Sequence, residues 1–225
     1  MKYFPINVEI NNRPCTVIGG GRVAQRKVMG LLACQGQVTV ISPELTPALA
    51  EKAGAGAITW LKRGYEPGDL ARSFLVIAAT DDEQVQEAVY AEAQGLNILI
   101  NVADVPKWCN FILPATVRRG DLAISISTSG QSPALARLTR ERLEEEFGPE
   151  YDLALRLMGG LRPLVLARDE GHEQNKKTFA KILHPELLEW LAQGQWPAIS
   201  AHIQALLGHS PEIDTLLTRL REEEI

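Results

Sequence analysis

Apolar residues in the first hundred positions fall into short continuous runs separated by stretches with helical spacing. The runs are 15–18 (Cys-Thr-Val-Ile), 38–41 (Val-Thr-Val-Ile), 57–61, 74–79 (Phe-Leu-Val-Ile-Ala-Ala) and 98–102. Unbroken apolar runs of this length are expected of strands buried on both faces of a parallel sheet. Val28, Leu31 and Leu32 recur at i, i+3 and i+4 and predict a helix over 25–34. Further helices are predicted over 45–53 and 83–94, the last capped by Asp81 or Asp82. Gly36 and Gly95 stand where helix-ending glycines belong. Residues 3–10 alternate loosely before the turn cluster Asn11-Asn12-Arg13-Pro14, which predicts one more strand. Strand and helix alternating over about 100 residues give an α/β class, a doubly wound parallel sheet with right-handed crossovers.

The alternation stops after Asp104. Residues 105–114 read as a loop, 118–121 as a basic turn and 122–127 as an alternating strand. Ser132 then sits at an N-cap position and Pro133 at the first helical position of a helix over 134–147. Leu135, Leu138, Leu143 and Phe147 give that helix an apolar side expected to enter a core. Gly148-Pro149 ends it, and 150–225 carry helical pattern throughout. The expected organisation is a nucleotide-binding domain over 1–113, a strand-helix segment over 114–148 and an all-helical region over 149–225.

Composition narrows the function. The chain has 225 residues, 45% of them hydrophobic and 23% charged, with a formal net charge of -5. That balance fits a globular protein and argues against nucleic acid or an anionic membrane as a general partner. An anionic ligand needs a local basic patch. Cys15, Cys34 and Cys109 form no Cys-x-x-Cys, so they read as reduced thiols of a cytoplasmic protein. No apolar run approaches the roughly 18 residues of a membrane span, and the first residues lack a signal-peptide core. The four histidines have no ligand spacing, so no metal site is expected.

The candidate chemistry begins at 16–24, Thr-Val-Ile-Gly-Gly-Gly-Arg-Val-Ala. Gly19, Gly21 and Ala24 match G-x-G-x-x-A between a strand and a helix, the dinucleotide-binding turn of a Rossmann domain. Gly19 permits the tight turn, Gly21 lets a pyrophosphate approach the backbone, and Ala24 lets the helix pack on the sheet. The helix N-terminus offers N–H groups and partial positive charge to phosphates. The acid that commonly ends the second strand is replaced by Ser42, followed by Pro43 and Glu44. Glu44 is either a ribose ligand or a solvated first-turn acid of the next helix, so NAD and NADP both stay open. Ligands of such sheets bind beyond the carboxyl ends of the strands. There 19–23, Thr80 with Asp81, and Asn101 through Asp104 should share one crevice. Asp104 is placed to accept a proton as hydride leaves a substrate, with its pKa raised if the loop buries it near Trp108 and Phe111. The alternative is a turn-capping aspartate. Ser127, Thr128, Ser129 and Ser132 surround Gly130 at a helix start, with Arg118, Arg119, Arg137 and Arg140 close in sequence. This constellation suits a ligand bearing carboxylates; the alternative is an N-cap loop with solvated arginines.

Taken together these stretches resemble the precorrin-2 dehydrogenase family, which includes the N-terminal module of sirohaem synthase. The matching residues are Tyr3-Phe4-Pro5-Ile6, 17–27 (Val-Ile-Gly-Gly-Gly-Arg-Val-Ala-Gln-Arg-Lys), 78–82, 101–107 (Asn-Val-Ala-Asp-Val-Pro-Lys), 111–115 and 127–137. The resemblance is dense to about residue 147 and thins beyond. It implies NAD-dependent oxidation of precorrin-2 to sirohydrochlorin in sirohaem or related tetrapyrrole biosynthesis. It implies a cytoplasmic homodimer with 114–148 as the dimerisation segment, and methylation by a separate protein. The family's essential aspartate falls on Asp104. The family's cofactor-binding pairs fall on Arg22-Val23 and Pro43-Glu44, and together with Gly19, Gly20, Gly21, Thr80, Asp81 and Asn101 at the strand ends they make up the expected cofactor site. The substrate contacts expected of the hydroxyl loop are Ser127, Thr128, Ser129, Gly130, Ser132 and Arg137, and Thr128 stands where the related module has serine. Two alternatives remain at this stage. One is a bifunctional enzyme that also inserts ferrous ion as a ferrochelatase. The other is a regulatory nucleotide-binding module such as the cytoplasmic subunit of an ion transporter.

Overall fold

The computed structural model describes residues 3–223, and the chain divides into two compact units, one ending at Leu113 and the other beginning at Pro114. The first unit is a five-stranded parallel sheet of order β3-β2-β1-β4-β5. Its elements are β1 (Pro14–Ile18), α1 (Arg22–Ala33), β2 (Gln37–Ile41), α2 (Pro47–Gly54), β3 (Thr59–Leu61), β4 (Leu75–Ala78), α3 (Glu83–Gly95) and β5 (Leu99–Val102). β4 is buried at every position, as its unbroken apolar run requires. Apolar side chains pack on both faces of the sheet. α1 and α2 cover one through Val28, Leu31 and Leu49; α3 covers the other through Val89 and Ala93. The chain winds from β1 to β2 and β3, then crosses back to β4. The strand order therefore reverses between β1 and β4, where ligands of such sheets settle.

Three local expectations are corrected. Residues 3–10 form no strand; Phe4, Ile6 and Val8 are exposed and only Ile10 enters the core. Alternation supplies an apolar side, but no strand edge of the described unit pairs with it. Helix α1 ends one step before its glycine. Gln35 takes the left-handed position (φ 59°), and the N–H groups of Gln35 and Gly36 return to the carbonyls of Leu32 and Leu31. Gly36 is small for another reason, since a Cβ there would press on the Leu31 carbonyl and the Cys15 sulfur. In α3 the same left-handed step falls on Asn97 (φ 55°), not Gly95. Asp82 caps that helix, accepting N–H bonds from Gln84 and Val85 at 2.9 and 3.1 Å.

The second unit begins with an antiparallel hairpin, β6 (Ala115–Arg119) and β7 (Leu122–Ile126), followed by α4 (Pro133–Glu146). Helices α5 (Glu150–Leu166), α6 (His172–Ile182), α7 (Pro185–Ala192), α8 (Trp196–Leu207) and α9 (Pro211–Glu222) then share a core of their own around Leu157, Leu161, Leu187, Ile199 and Leu220. The sequence expectation for α4 fails. None of its residues is buried, and Leu135 and Leu138 are 54% and 47% exposed. Among the described residues no helix is long and apolar enough to cross a membrane.

Candidate active site

The loops at the carboxyl ends of β1, β2, β4 and β5 wall a crevice of about 920 Å³. Its floor is the glycine turn, where three adjacent glycines are glycine for different reasons. Gly19 has φ 111°, and a Cβ would collide with the Ala79 carbonyl at the end of β4. A Cβ on Gly20 would collide with the Glu44 carbonyl of the loop after β2, a loop held to the turn by Thr46 N–H bonding Gly20 C=O at 2.9 Å. Thr46 also donates its hydroxyl to Gln25 Oε1 at 2.7 Å. Gly21 differs: a Cβ there would meet no protein atom within 4 Å. The fold gives no reason for a bare position, so the free space belongs to the crevice. Gly21 is also the N-cap of α1, with no side chain capping the helix and no acid in its first turn. Unpaired N–H groups and the uncompensated helix dipole thus face the same space, which suits a pyrophosphate.

Arg22 and Val23 line the crevice beside the turn, and Pro43 and Glu44 line it from the loop after β2. Glu44 is not a first-turn acid, because α2 starts at Pro47 behind the N-cap Thr46. Thr80 and Asp81 line the crevice from the end of β4. Gln86 joins them, its side-chain amide donating to Thr80 C=O at 2.6 Å. Sequence reasoning passed over Gln86; its signal was a polar residue on the buried face of α3. Asn101 is used differently. It is not on the crevice wall, and its amide donates to Phe111 C=O at 3.1 Å, pinning the loop after β5.

Asp104 lines the crevice, exposed, in a left-handed conformation (φ 60°) that non-glycine residues adopt rarely. The turn carrying it is held by Ala103 N–H to Ala78 C=O at 2.8 Å and by the Cys109 sulfur, which accepts Val102 N–H at 3.2 Å. Trp108 and Phe111 do not bury Asp104. Trp108 stacks on Tyr90 against the α3 face of the sheet, whereas Phe111 packs on the other face. Lys27 was missed altogether. It is half-buried on α1, and burial first, then Arg26, hold its ammonium below the usual lysine range, with Asp104 and Cys109 opposing. A lysine five residues into a helix carries no sequence signal of such a neighbour. Among the described residues no three His, Cys, Asp or Glu side chains gather to hold a metal ion.

In the second unit the hydroxyl loop is a tight turn. Gln131 N–H bonds Thr128 C=O at 3.0 Å, and Ser129 (φ 54°) and Gly130 (φ 83°) are both left-handed. Ser132 caps α4, accepting Leu135 N–H at 3.2 Å. Ser127 accepts Ser129 N–H at 3.1 Å, and the Thr128 hydroxyl bonds the backbone of Ser132. The arginines are largely engaged. Arg137 pairs with Glu141 at 2.7 Å on an exposed face, Arg140 bonds Glu144, and Arg119 donates to Glu144 C=O at 2.8 Å.

Comparison with known proteins agrees with these two patterns. Residues 6–115 match a family model described as putative NAD(P)-binding, and 119–146 match one described as sirohaem biosynthesis protein central. Siroheme synthase of Methylobacillus flagellatus is 37% identical over 95% of this chain and 46% of its own length. Siroheme synthase 1 of Aeromonas salmonicida is 39% identical over 86% of this chain and 42% of its own length. The chain thus spans less than half the length of these curated relatives. Among solved structures, SirC, a precorrin-2 dehydrogenase, superposes with a TM-score of 0.76 at 22% identity, covering 92% of this chain and 100% of that one. At that identity the likeness establishes the shared fold.

Proposed function

We propose that this chain is a member of the precorrin-2 dehydrogenase and sirohaem synthase module family and that it oxidises precorrin-2 to sirohydrochlorin with NAD. The observation that carries the reading is one crevice walled both by a glycine turn with a bare, uncapped helix N-terminus and by the exposed carboxylate of Asp104. NAD would be held by Gly19, Gly20, Gly21, Arg22, Val23, Pro43, Glu44, Thr80 and Asp81, and when bound it supplies the hydride acceptor. Gly21 and the first turn of α1 receive the pyrophosphate. Glu44 offers its carboxylate to ribose hydroxyls; three acids and one arginine on the wall make the crevice a poor host for a 2′-phosphate.

Dehydrogenation removes a hydride and a proton from adjoining atoms of the macrocycle. Asp104, whose carboxylate is exposed on the crevice wall, takes the proton. The substrate's carboxylates fall to the loop of Ser127, Thr128, Ser129, Gly130 and Ser132, with Arg137 released from Glu141 to bind them. Segment 114–148 serves as the pairing surface of a cytoplasmic homodimer, a role supported by the uncovered leucines of α4. The direct test is Asp104→Ala. Precorrin-2-dependent NADH absorbance should fall at least a hundredfold while NAD binding, measured by calorimetry, stays within twofold. Turnover near the wild-type rate would remove Asp104 from the reaction.

A further inference from the structure

Gln86 is the residue of the crevice wall that packing does not explain. It stands near the start of α3 and is only 7% exposed. A side chain so enclosed normally has each polar atom paired. Its amide nitrogen donates to Thr80 C=O at 2.6 Å. The amide cannot sit the other way round, because two carbonyl oxygens at that distance would repel. The nitrogen is therefore committed, and Oε1 is left without a protein partner among the described residues. That oxygen is not sealed in. The wholly enclosed side-chain polar atom that lacks a partner among the described residues is Asn175 Oδ1, in the second unit. Gln86 Oε1 thus opens onto the crevice that its side chain lines. Thr80 supplies the complementary group on the same wall. Its hydroxyl oxygen accepts Asp82 N–H at 3.3 Å, and its proton has no protein acceptor among the described residues. The end of β4 so presents one fixed acceptor and one free donor. A ribose diol satisfies both, since each hydroxyl donates and accepts.

The order of the strands says which ribose. β4 lies between β1 and β5. A dinucleotide with its pyrophosphate on Gly21, past β1, and its reacting ring beside Asp104, past β5, lays the ribose that joins them across the end of β4. We propose that Gln86 is a binding residue for the cofactor, its Oε1 accepting a hydroxyl of the nicotinamide ribose while Thr80 donates to the same diol. This rests on the reading that NAD occupies the crevice. Because the Thr80 carbonyl holds the amide in place, the acceptor is set before the ligand arrives and little side-chain freedom is lost on binding.

The test is a binding cycle that needs no precorrin-2. Calorimetry compares NAD with an analogue whose nicotinamide ribose lacks both hydroxyls, on wild type, Gln86→Leu and Thr80→Val. Wild type should bind NAD at least about tenfold more tightly than the analogue, the size of a lost hydrogen bond. Gln86→Leu should weaken NAD about tenfold and change the analogue less than about twofold, because the partner of the missing group is already gone. Thr80→Val should narrow the preference in the same way. ADP has no second ribose, so all three proteins should bind it within about twofold, which also reports an intact glycine turn. An analogue that binds wild type as tightly as NAD overturns the proposal even if neither variant folds. So does a Gln86→Leu protein that keeps the full preference for NAD, or one that loses ADP and NAD alike, since Gln86 then only holds the Thr80 loop. A wild type that binds neither NAD nor ADP sinks the cofactor reading and this proposal together. A wild type that shows the ribose preference but makes no NADH from precorrin-2 sinks the proposed reaction and leaves the role of Gln86 standing.

Discussion

The crevice of the first unit and the hydroxyl loop of the second are built on opposite plans. In the first, the backbone does the shaping. Gly19 and Gly20 are locked against carbonyls of two other loops, Thr46 stitches the loop after β2 to the turn, and the Cys109 sulfur pins the turn that carries Asp104. The surrounding sheet is buried on both faces, so these loops inherit the rigidity of a packed core. In the second, side-chain hydroxyls do the shaping. The loop opens a helix with no buried residue, whose Leu135 and Leu138 face outward. A site for an invariant cofactor can be fixed by the fold of one domain. A site held by a few hydroxyl bonds on an uncovered helix depends on whatever completes that surface.

The largest effect that can break this contrast is Gly20→Ala. The new methyl must displace the Glu44 carbonyl, and the loop after β2 with it. We expect a loss of about 3 kcal/mol, the upper range for overpacking, in urea unfolding of the first unit's signal. An alanine tolerated within about 0.5 kcal/mol would show that the turn and the loop are not locked together. Next is Leu138→Glu on α4. If 114–148 is the pairing surface, a charge at the seam should weaken the dimer by about 2 kcal/mol, roughly thirtyfold in its dissociation constant. Sedimentation at micromolar concentration reads this, and an unchanged mass would free α4 of that role. Third is Gly21→Ala, which sharpens the comparison from within the crevice. Stability should change by less than about 1 kcal/mol, because the methyl meets no protein atom and only the cap is altered. NAD affinity should drop at least about tenfold, or ~1.4 kcal/mol. Tight NAD binding with alanine in place would mean that the free space at Gly21 is not where the cofactor lies.

The smallest effect concerns Cys15. Burial first, then the neighbouring Cys34, push its thiol up to about 11. Only the thiolate reacts quickly, so alkylation of Cys15 at pH 8 should be slower than that of half-exposed Cys34 by more than tenfold in the native state. The difference should vanish in denaturant. Equal native rates by mass spectrometry would show that β1 opens far more readily than a buried central strand should.

The parallel sheet was legible because burial on both faces writes itself as unbroken apolar runs, and the turn because glycine is the one residue that fits a crowded backbone. Asp82 and Ser132 are capping residues that mark the starts of α3 and α4 in the sequence, whereas the starts of α1 and α2 fall at Arg22 and behind Thr46, where the apolar pattern marks none. Helix ends are less legible. A left-handed step can be taken by Gln35 or Asn97 as well as by glycine, and the choice depends on what the next side chain would strike. Residues 3–10 and α4 failed together for one reason: an apolar pattern says that a face wants cover, not that this unit provides it.

The sequence by itself determined the doubly wound sheet, the position of the glycine turn and the placing of Asp104 just past β5, because each follows from local pattern and chain order. The tertiary structure alone decided what each of those residues touches. It made Gly20 a packing glycine and left Gly21 facing open space. It turned Asn101 from the crevice toward Phe111 and brought Gln86 in. It set Trp108 and Phe111 on opposite faces of the sheet, leaving Asp104 exposed. It spent the Thr128 hydroxyl on Ser132. Each of these is a contact between parts of the chain whose approach depends on packing elsewhere, and a linear pattern carries no record of distance in space.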